Sequence, residues 1–145
     1  ERSLHRQLRL FGSGSWKLFG IGPYAALLGR PVGPLTPGAP QGGSAVVSAV
    51  TSELLRKLPR RSFVVPSPVT GTLAGVAPRT GLALALNGRI AALCRSYRTR
   101  DGVVRFSALA APAAFRPGAN EAVLYALAGP RSAPQLTELQ TELSQ

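Results

Sequence analysis

The stretch GLALALNGRIAALCRSY, residues 81–97, decides the reading of the fold. Two apolar runs flank the pair Asn87-Gly88. An Asn-Gly step between apolar runs signals a hairpin, because a type I′ turn needs positive φ at both central positions. A two-residue turn pairs Leu86 with Arg89, Leu84 with Ala91 and Leu82 with Leu93, a register that a β-bulge would change. One face then carries Leu82, Leu84, Leu86, Ala91 and Leu93, with Arg95 and Tyr97 farther out. The other carries Ala83, Ala85, Ile90, Ala92 and Cys94. Both faces are apolar near the turn, so the hairpin is expected to be central, with a layer on each side. Small Ala and Cys side chains permit close approach of a second layer.

The pattern continues on both sides. Downstream, Arg100-Asp101-Gly102 marks a second turn and VVRFSAL (103–109) the next strand. APAAFRPG (111–118) reads as a loop and NEAVLYALA (120–128) as a strand with Val123, Tyr125 and Leu127 alternating inward. Gly118 allows positive φ, and Asn120 has the side chain to tie the turn to the backbone. Upstream, SAVVSAV (44–50) and TGTLAGV (70–76) are short strands, and TSELLRKL (51–58) is one or two helical turns stopped by Pro59. Turn signals spaced about 8–15 residues apart point to a sandwich or barrel. We read residues 44–128 as a mainly β domain, an antiparallel β-sandwich of immunoglobulin-like or jelly-roll-like type.

The ends read differently. Residues 1–43 combine a basic segment with an extended Gly/Pro-rich strap. In ERSLHRQLRLFG (1–12), Leu4, Leu8 and Phe11 share one helical face and Arg2, Arg6 and Arg9 occupy the rest. Such a helix packs on its own domain or docks on a neighbour or acidic lipid. Trp16, Phe19 and Tyr24 anchor the strap, and PVGPLTPGAPQGG (31–43) is the best linker candidate. In residues 129–145, Pro134 suits a first helical position. Leu136, Leu139 and Leu143 follow at i, i+3 and i+7, which predicts a short terminal helix.

Composition narrows the chemistry. A chain of 145 residues suits one domain, and 45% hydrophobic residues suffice for a core. One cysteine excludes an internal disulfide and a cysteine zinc site, and one histidine excludes His-paired metal sites. No cofactor or metal is expected. No apolar run approaches the roughly 20 residues of a membrane helix. The absence of methionine leads us to expect a processed product or a piece of a longer protein. His5 lacks an acidic or thiol partner nearby in sequence. Cys94 sits mid-strand, where burial is its expected role. The motif Cys-x-x-x-Arg at 94–98 fails the sulfatase modification pattern, because Ser96 stands where that pattern needs proline. GSGS (12–15) and GIG (20–22) lack phosphate-loop spacing.

The net charge is +11, carried by arginines except for Lys17 and Lys57. Such a balance invites a nucleic-acid reading. Base stacking needs exposed aromatics among the basic residues. Only Tyr97 and Phe106 are placed for it, and Phe106 alternates out of phase with Arg105. Nucleic acid is therefore the less favoured partner, behind an acidic protein surface, acidic lipid or anionic glycan. Arg95, Tyr97, Arg98 and Arg105 form the expected exposed polar contact set.

From residue 82 the ordered set LALNGRIAAL, RFSAL and FRPGANEAVLYAL resembles the β-sandwich modules that accompany many extracytoplasmic enzymes. More closely, residues 9–128 resemble the C-terminal region of bacterial membrane-anchored sulfatase-like proteins of the alkaline phosphatase superfamily. The segment 9–32 is similar to the link between their hydrolase domain and that module. Those enzymes hold metal with Asp and His and use a Thr, Ser or formylglycine nucleophile; nothing in this chain matches those positions. The resemblance implies a noncatalytic end of a larger protein, at the periplasmic or outer face of a bacterial membrane. It would dock on a hydrolase domain or membrane complex through Trp16, Phe19 and Tyr24. The alternatives are a basic nucleic-acid-binding subunit, or a fragment of an active sulfatase or phosphodiesterase.

Overall fold

The computed structural model describes residues 24–33, 35, 37–38, 42–56, 67–110, 112–130 and 133–144. The expected helix at 1–12, Trp16 and Phe19 lie outside the described residues. The elements run β1 (Ser44–Val47), α1 (Ala49–Arg56), β2 (Ser67–Ala74), β3 (Gly81–Leu86), β4 (Arg89–Arg95), β5 (Tyr97–Arg98), β6 (Val104–Ala110), β7 (Ala122–Ala128), β8 (Gln135–Glu138) and β9 (Gln140–Leu143). They form a five-stranded sheet in the order β5-β6-β2-β1-β9 and a four-stranded sheet in the order β4-β3-β7-β8. The chain is a mainly β sandwich of two antiparallel-rich sheets, as the sequence leads one to expect.

Alternation along the strands makes the inter-sheet core. The five-stranded sheet contributes Val47, Val69, Leu73, Phe106 and Ala108; the four-stranded sheet contributes Leu82, Leu84, Ala92, Leu124 and Ala126. The inward residues of β7 are thus Leu124 and Ala126. This corrects the expected inward set: Tyr125 and Leu127 belong to a second cluster on the opposite face of that sheet. Inward Gly71 lies against Phe106, and a Cβ there would sit 2.7 Å from the aromatic ring, so the ring fills the space of the missing side chain.

The Asn-Gly hairpin forms as expected, with φ of 53° at Asn87 and 81° at Gly88. Leu86 pairs with Arg89 and Ala85 with Ile90, but Leu84 then pairs with Ala92. Ala91 is the extra residue of a bulge. Both Ala91 and Ala92 reach the inter-sheet core, whereas Leu93 turns to the outer cluster. The simple two-residue register therefore holds only next to the turn.

Each edge of the sandwich is closed by a chain segment that leaves one sheet and enters the other. At the first edge, β4 passes into β5 through Ser96. This residue is 2% exposed. Its hydroxyl donates to the Ala77 carbonyl (2.7 Å) and accepts from the Thr80 N–H (2.9 Å). Its own N–H and carbonyl bond to Thr80 and Arg79. At the second edge, β8 passes into β9 through buried Leu139, whose N–H donates to the Leu124 carbonyl. The Thr141 hydroxyl accepts from the Leu124 N–H and donates to the Leu139 carbonyl. The expected terminal helix is thus replaced by two strands. Leu136 faces the outer cluster, Leu139 fills the corner and Leu143 faces the inter-sheet core. Their helical spacing is produced by a corner between strands, and β-branched Thr137 and Thr141 suit that extended chain.

The outer face of the four-stranded sheet is covered by residues 24–33, 35, 37 and 38. At the β4 edge, Gly29 N–H donates to the Ile90 carbonyl (2.8 Å), Ile90 N–H to Arg30 (3.0 Å) and Val32 N–H to Gly88 (2.9 Å). At the β8 edge, Gly38 N–H donates to the Leu136 carbonyl (2.6 Å). Between these ties Leu27, Val32 and Leu35 pack on Ala83, Ala85, Ile90, Leu127 and Leu136. The strap thus runs from one edge of the sheet to the other, and its Pro31, Val32, Leu35, Pro37 and Gly38 belong to the packed fold rather than to a free linker. The reason is the sequence of β3: with Leu on one face and Ala on the other, both sides need cover.

α1 follows β1 directly, with Ser48 as its preceding cap residue. It buries Leu55 and Ser52, and the Asn120 N–H satisfies the Leu55 carbonyl at its end (2.7 Å). Asn120 is itself buried. Its carbonyl accepts from Asn87 and the Arg116 N–H, and its amide donates to the Arg116 and Gly118 carbonyls. The expected tie between Asn120 and its turn is present, and it reaches the hairpin as well.

Candidate functional site

Among the described residues, nothing covers the outer face of the five-stranded sheet. Its outward positions follow from the buried ones. Phe106 and Ala108 point in, so Arg105, Ser107 and Leu109 point out; Val69 and Leu73 point in, so Thr70 and Thr72 point out. Strand pairing aligns Tyr97, Arg105, Thr72, Val46 and Glu142 in one row across all five strands. At the usual strand spacing such a row spans about 19 Å. A shallow cleft of about 210 Å³ lies along it, with Tyr97 and Arg105 at one end and Ser48, Thr70, Thr72 and Ser144 beyond. Val46, Tyr97 and Leu109, three of the exposed large hydrophobic residues, stand on this face.

Arg105 is positioned by its turn. Its guanidinium reaches the Asp101 carboxylate at 3.3 Å and the Thr99 hydroxyl at 3.4 Å. Asp101 also accepts from the Thr99 hydroxyl and from the Val103 N–H. The Thr99 hydroxyl, the Val103 N–H and Arg105 together hold the Asp101 carboxyl below the usual carboxylate range. Asp101 is therefore an ionised turn residue, committed to stabilising the β5–β6 hairpin.

The expected contact set is only partly brought together. Tyr97 and Arg105 are cross-strand neighbours on the open face. Arg98 pairs with inward-facing Val104, so it leaves the opposite side of β5 at the rim. Arg95 closes β4 in the other sheet. Tyr24 stands in the strap against Gly81, and its hydroxyl donates to the Gly129 carbonyl (3.0 Å). Phe106 is buried, as its phase against Arg105 implies. Ser96 and the hydroxyl row were not singled out in the sequence. The signal for Ser96 is a small polar residue interrupting an otherwise strand-like run.

Other chemistry-bearing groups have structural surroundings. Burial pushes the Cys94 thiol up to about 12, against the opposing effect of a backbone hydrogen bond at Ser107. A thiol held protonated is a poor nucleophile. Burial, then Glu138 and Glu121, push the Tyr125 hydroxyl up. Among the described residues no group of three His, Cys, Asp or Glu side chains is placed to hold a metal ion. A larger cavity of about 430 Å³ lies by the strap, between Val32, Leu35, Tyr125 and Leu136.

Comparison with family models, with curated proteins and with solved structures finds no match to this chain.

Proposed function

We propose that this chain is a noncatalytic interaction module of a larger extracytoplasmic, membrane-anchored sulfatase-like protein. In this reading it is held on one side and binds on the other. The observation that carries it is the contrast between the two outer faces. The four-stranded sheet is closed by the strap, whereas the five-stranded sheet is left uncovered by the described residues, hydroxyl-lined and edged with arginine. The Cys94 thiol is held protonated by burial and Asp101 is committed to its turn, which favours binding over catalysis. Tyr24, the described member of the expected docking set Trp16, Phe19 and Tyr24, stands in the strap. The strap side is then the side that docks on a hydrolase domain or membrane complex.

A photo-reactive residue placed at Arg30, exposed on the strap, tests this in the parent protein within its native membrane. The expected result is a crosslink from position 30 to hydrolase sequence or a membrane partner, with none from position 107 on the open face. Crosslinks to protein from position 107 alone, or from neither position, would overturn the reading.

A further inference from the structure

The arginines divide into two groups. Arg56, Arg89 and Arg116 donate to the carbonyls of Ser144, Gly29 and Ala119, and Arg105 pairs with Asp101. Arg30, Arg79, Arg95, Arg98 and Arg100 have no side-chain hydrogen bond or ion pair among the described residues. Four of these five collect at one corner. Arg79 is bonded through its backbone to Ser96, Arg95 precedes Ser96, and Arg98 and Arg100 lie in the hairpin that follows. All four are exposed. Asp101, the carboxylate of that hairpin, is already shared among Thr99, Val103 and Arg105. The corner is thus a concentration of positive charge without internal compensation, which attracts an anion and makes its binding salt-dependent.

We infer that this corner binds an anionic saccharide, seated on Tyr97 and Arg105 at the open face and reaching over the rim of β5 to Arg98 and Arg100. The inference rests on the reading that the open face is the free one. Three features select a saccharide among polyanions. The cleft beside the guanidiniums is lined by Ser48, Thr70, Thr72 and Ser144; the Ser48 and Thr70 hydroxyls bond to each other, and outward Thr72 offers a hydroxyl that matches a sugar hydroxyl as donor and acceptor. Tyr97, 44% exposed, offers a ring against which the C–H face of a sugar packs. A lipid surface wants protruding apolar groups at the charged corner. The apolar Val46 and Leu109, however, stand two strands across and four residues along from Arg105, about 10 Å and about 13 Å away. A single-stranded nucleic acid wants successive stacking platforms, and Tyr97 is the lone aromatic residue of the row. Guanidinium groups pair bidentately with carboxylate and equally planar-forked oxyanions, so uronate or sulfate groups are the matching charges.

The test uses the 145-residue chain and a size-defined heparin hexasaccharide, with phosphatidylglycerol-containing phosphatidylcholine vesicles and a short single-stranded DNA as competitors. Calorimetry and amide chemical-shift mapping are read at low and physiological salt. The expected result is saturable binding weakened by salt, with shifts at Tyr97, Thr72 and Arg105. Tyr97→Ala is expected to weaken hexasaccharide binding about fivefold to tenfold. The double variant Arg98→Gln with Arg100→Gln weakens it by about tenfold or more. Both variants change exposed side chains, and an unchanged amide spectrum elsewhere verifies folding. Absence of hexasaccharide binding at low salt overturns the inference. So does tighter binding of vesicles or DNA, or saccharide binding indifferent to Tyr97. Failure here with a position-30 crosslink intact removes the saccharide and leaves the module reading standing. Loss of both removes both.

Discussion

The two sheets have outward faces of opposite character. On the four-stranded sheet, the outward side chains of β3 are Ala83 and Ala85, both buried under the strap. On the five-stranded sheet the corresponding positions are Thr70, Thr72, Ser107 and Arg105, which meet solvent. The difference begins in strand sequence. β3 reads as an unbroken apolar run, which needs cover on both faces, whereas β2 and β6 alternate apolar with polar. A strap tied to both edges supplies the cover in the first case. In the second, solvent suffices, and the face is left available.

Mutations can break or sharpen that comparison. The largest effect belongs to the core that both sheets share. Phe106→Ala removes a fully buried ring and leaves the space over Gly71 empty, so unfolding in denaturant should show a loss of about 3–5 kcal/mol. Next comes one operation performed on opposite sides. Leu27, in the strap, is 2% exposed, and Leu109, on the open face, is 49% exposed. Leu27→Ala should cost about 2–4 kcal/mol, and Leu109→Ala no more than about 0.5 kcal/mol. Equal costs would mean that the two faces are not different in kind.

Ser96→Ala acts at the corner joining the sheets. It leaves the Thr80 N–H and the Ala77 carbonyl without their shared hydroxyl. Chemical denaturation should register a loss of about 1–3 kcal/mol. Ser107→Ala, on the open face, serves as its control.

The smallest effect is titration of Asp101. Its carboxyl is held low in the folded chain, so its contribution is complete above the ordinary carboxylate value of 3.8 and is lost as pH falls through the lowered value. Hydrogen exchange at Val103 should quicken in that acid range while the core amides stay protected. An unchanged Val103 rate would remove Asp101 from its role in the hairpin.

Much of the architecture was legible in the sequence, and the exceptions have definite causes. Asn87-Gly88 marks the β3–β4 hairpin because few residues tolerate its dihedral angles, although β4 is the edge strand of its sheet and not a central one. The bulge was hidden because Ala91 and Ala92 are identical, so no pattern distinguishes the extra residue. Leu136, Leu139 and Leu143 imitated a helix because a corner between two strands displaces the period of two. Val123, Tyr125 and Leu127 formed a plausible inward set because β7 is apolar on both faces, and only the strap decides which face meets the other sheet. The site was half legible for the same reason. Tyr97 and Arg105 are paired across strands, but Arg95 belongs to the other sheet because the chain changes sheet at Ser96, and Arg98 alternates to the opposite side of β5.

Hydroxyl-radical footprinting of the chain tests the closed and open faces most directly. The account predicts fast labelling of Tyr97 and Leu109 and strong protection of Leu27 and Leu136. Leu27 labelled as quickly as Leu109 would contradict it, because the strap would then not close its sheet and the two faces would be equally free to bind.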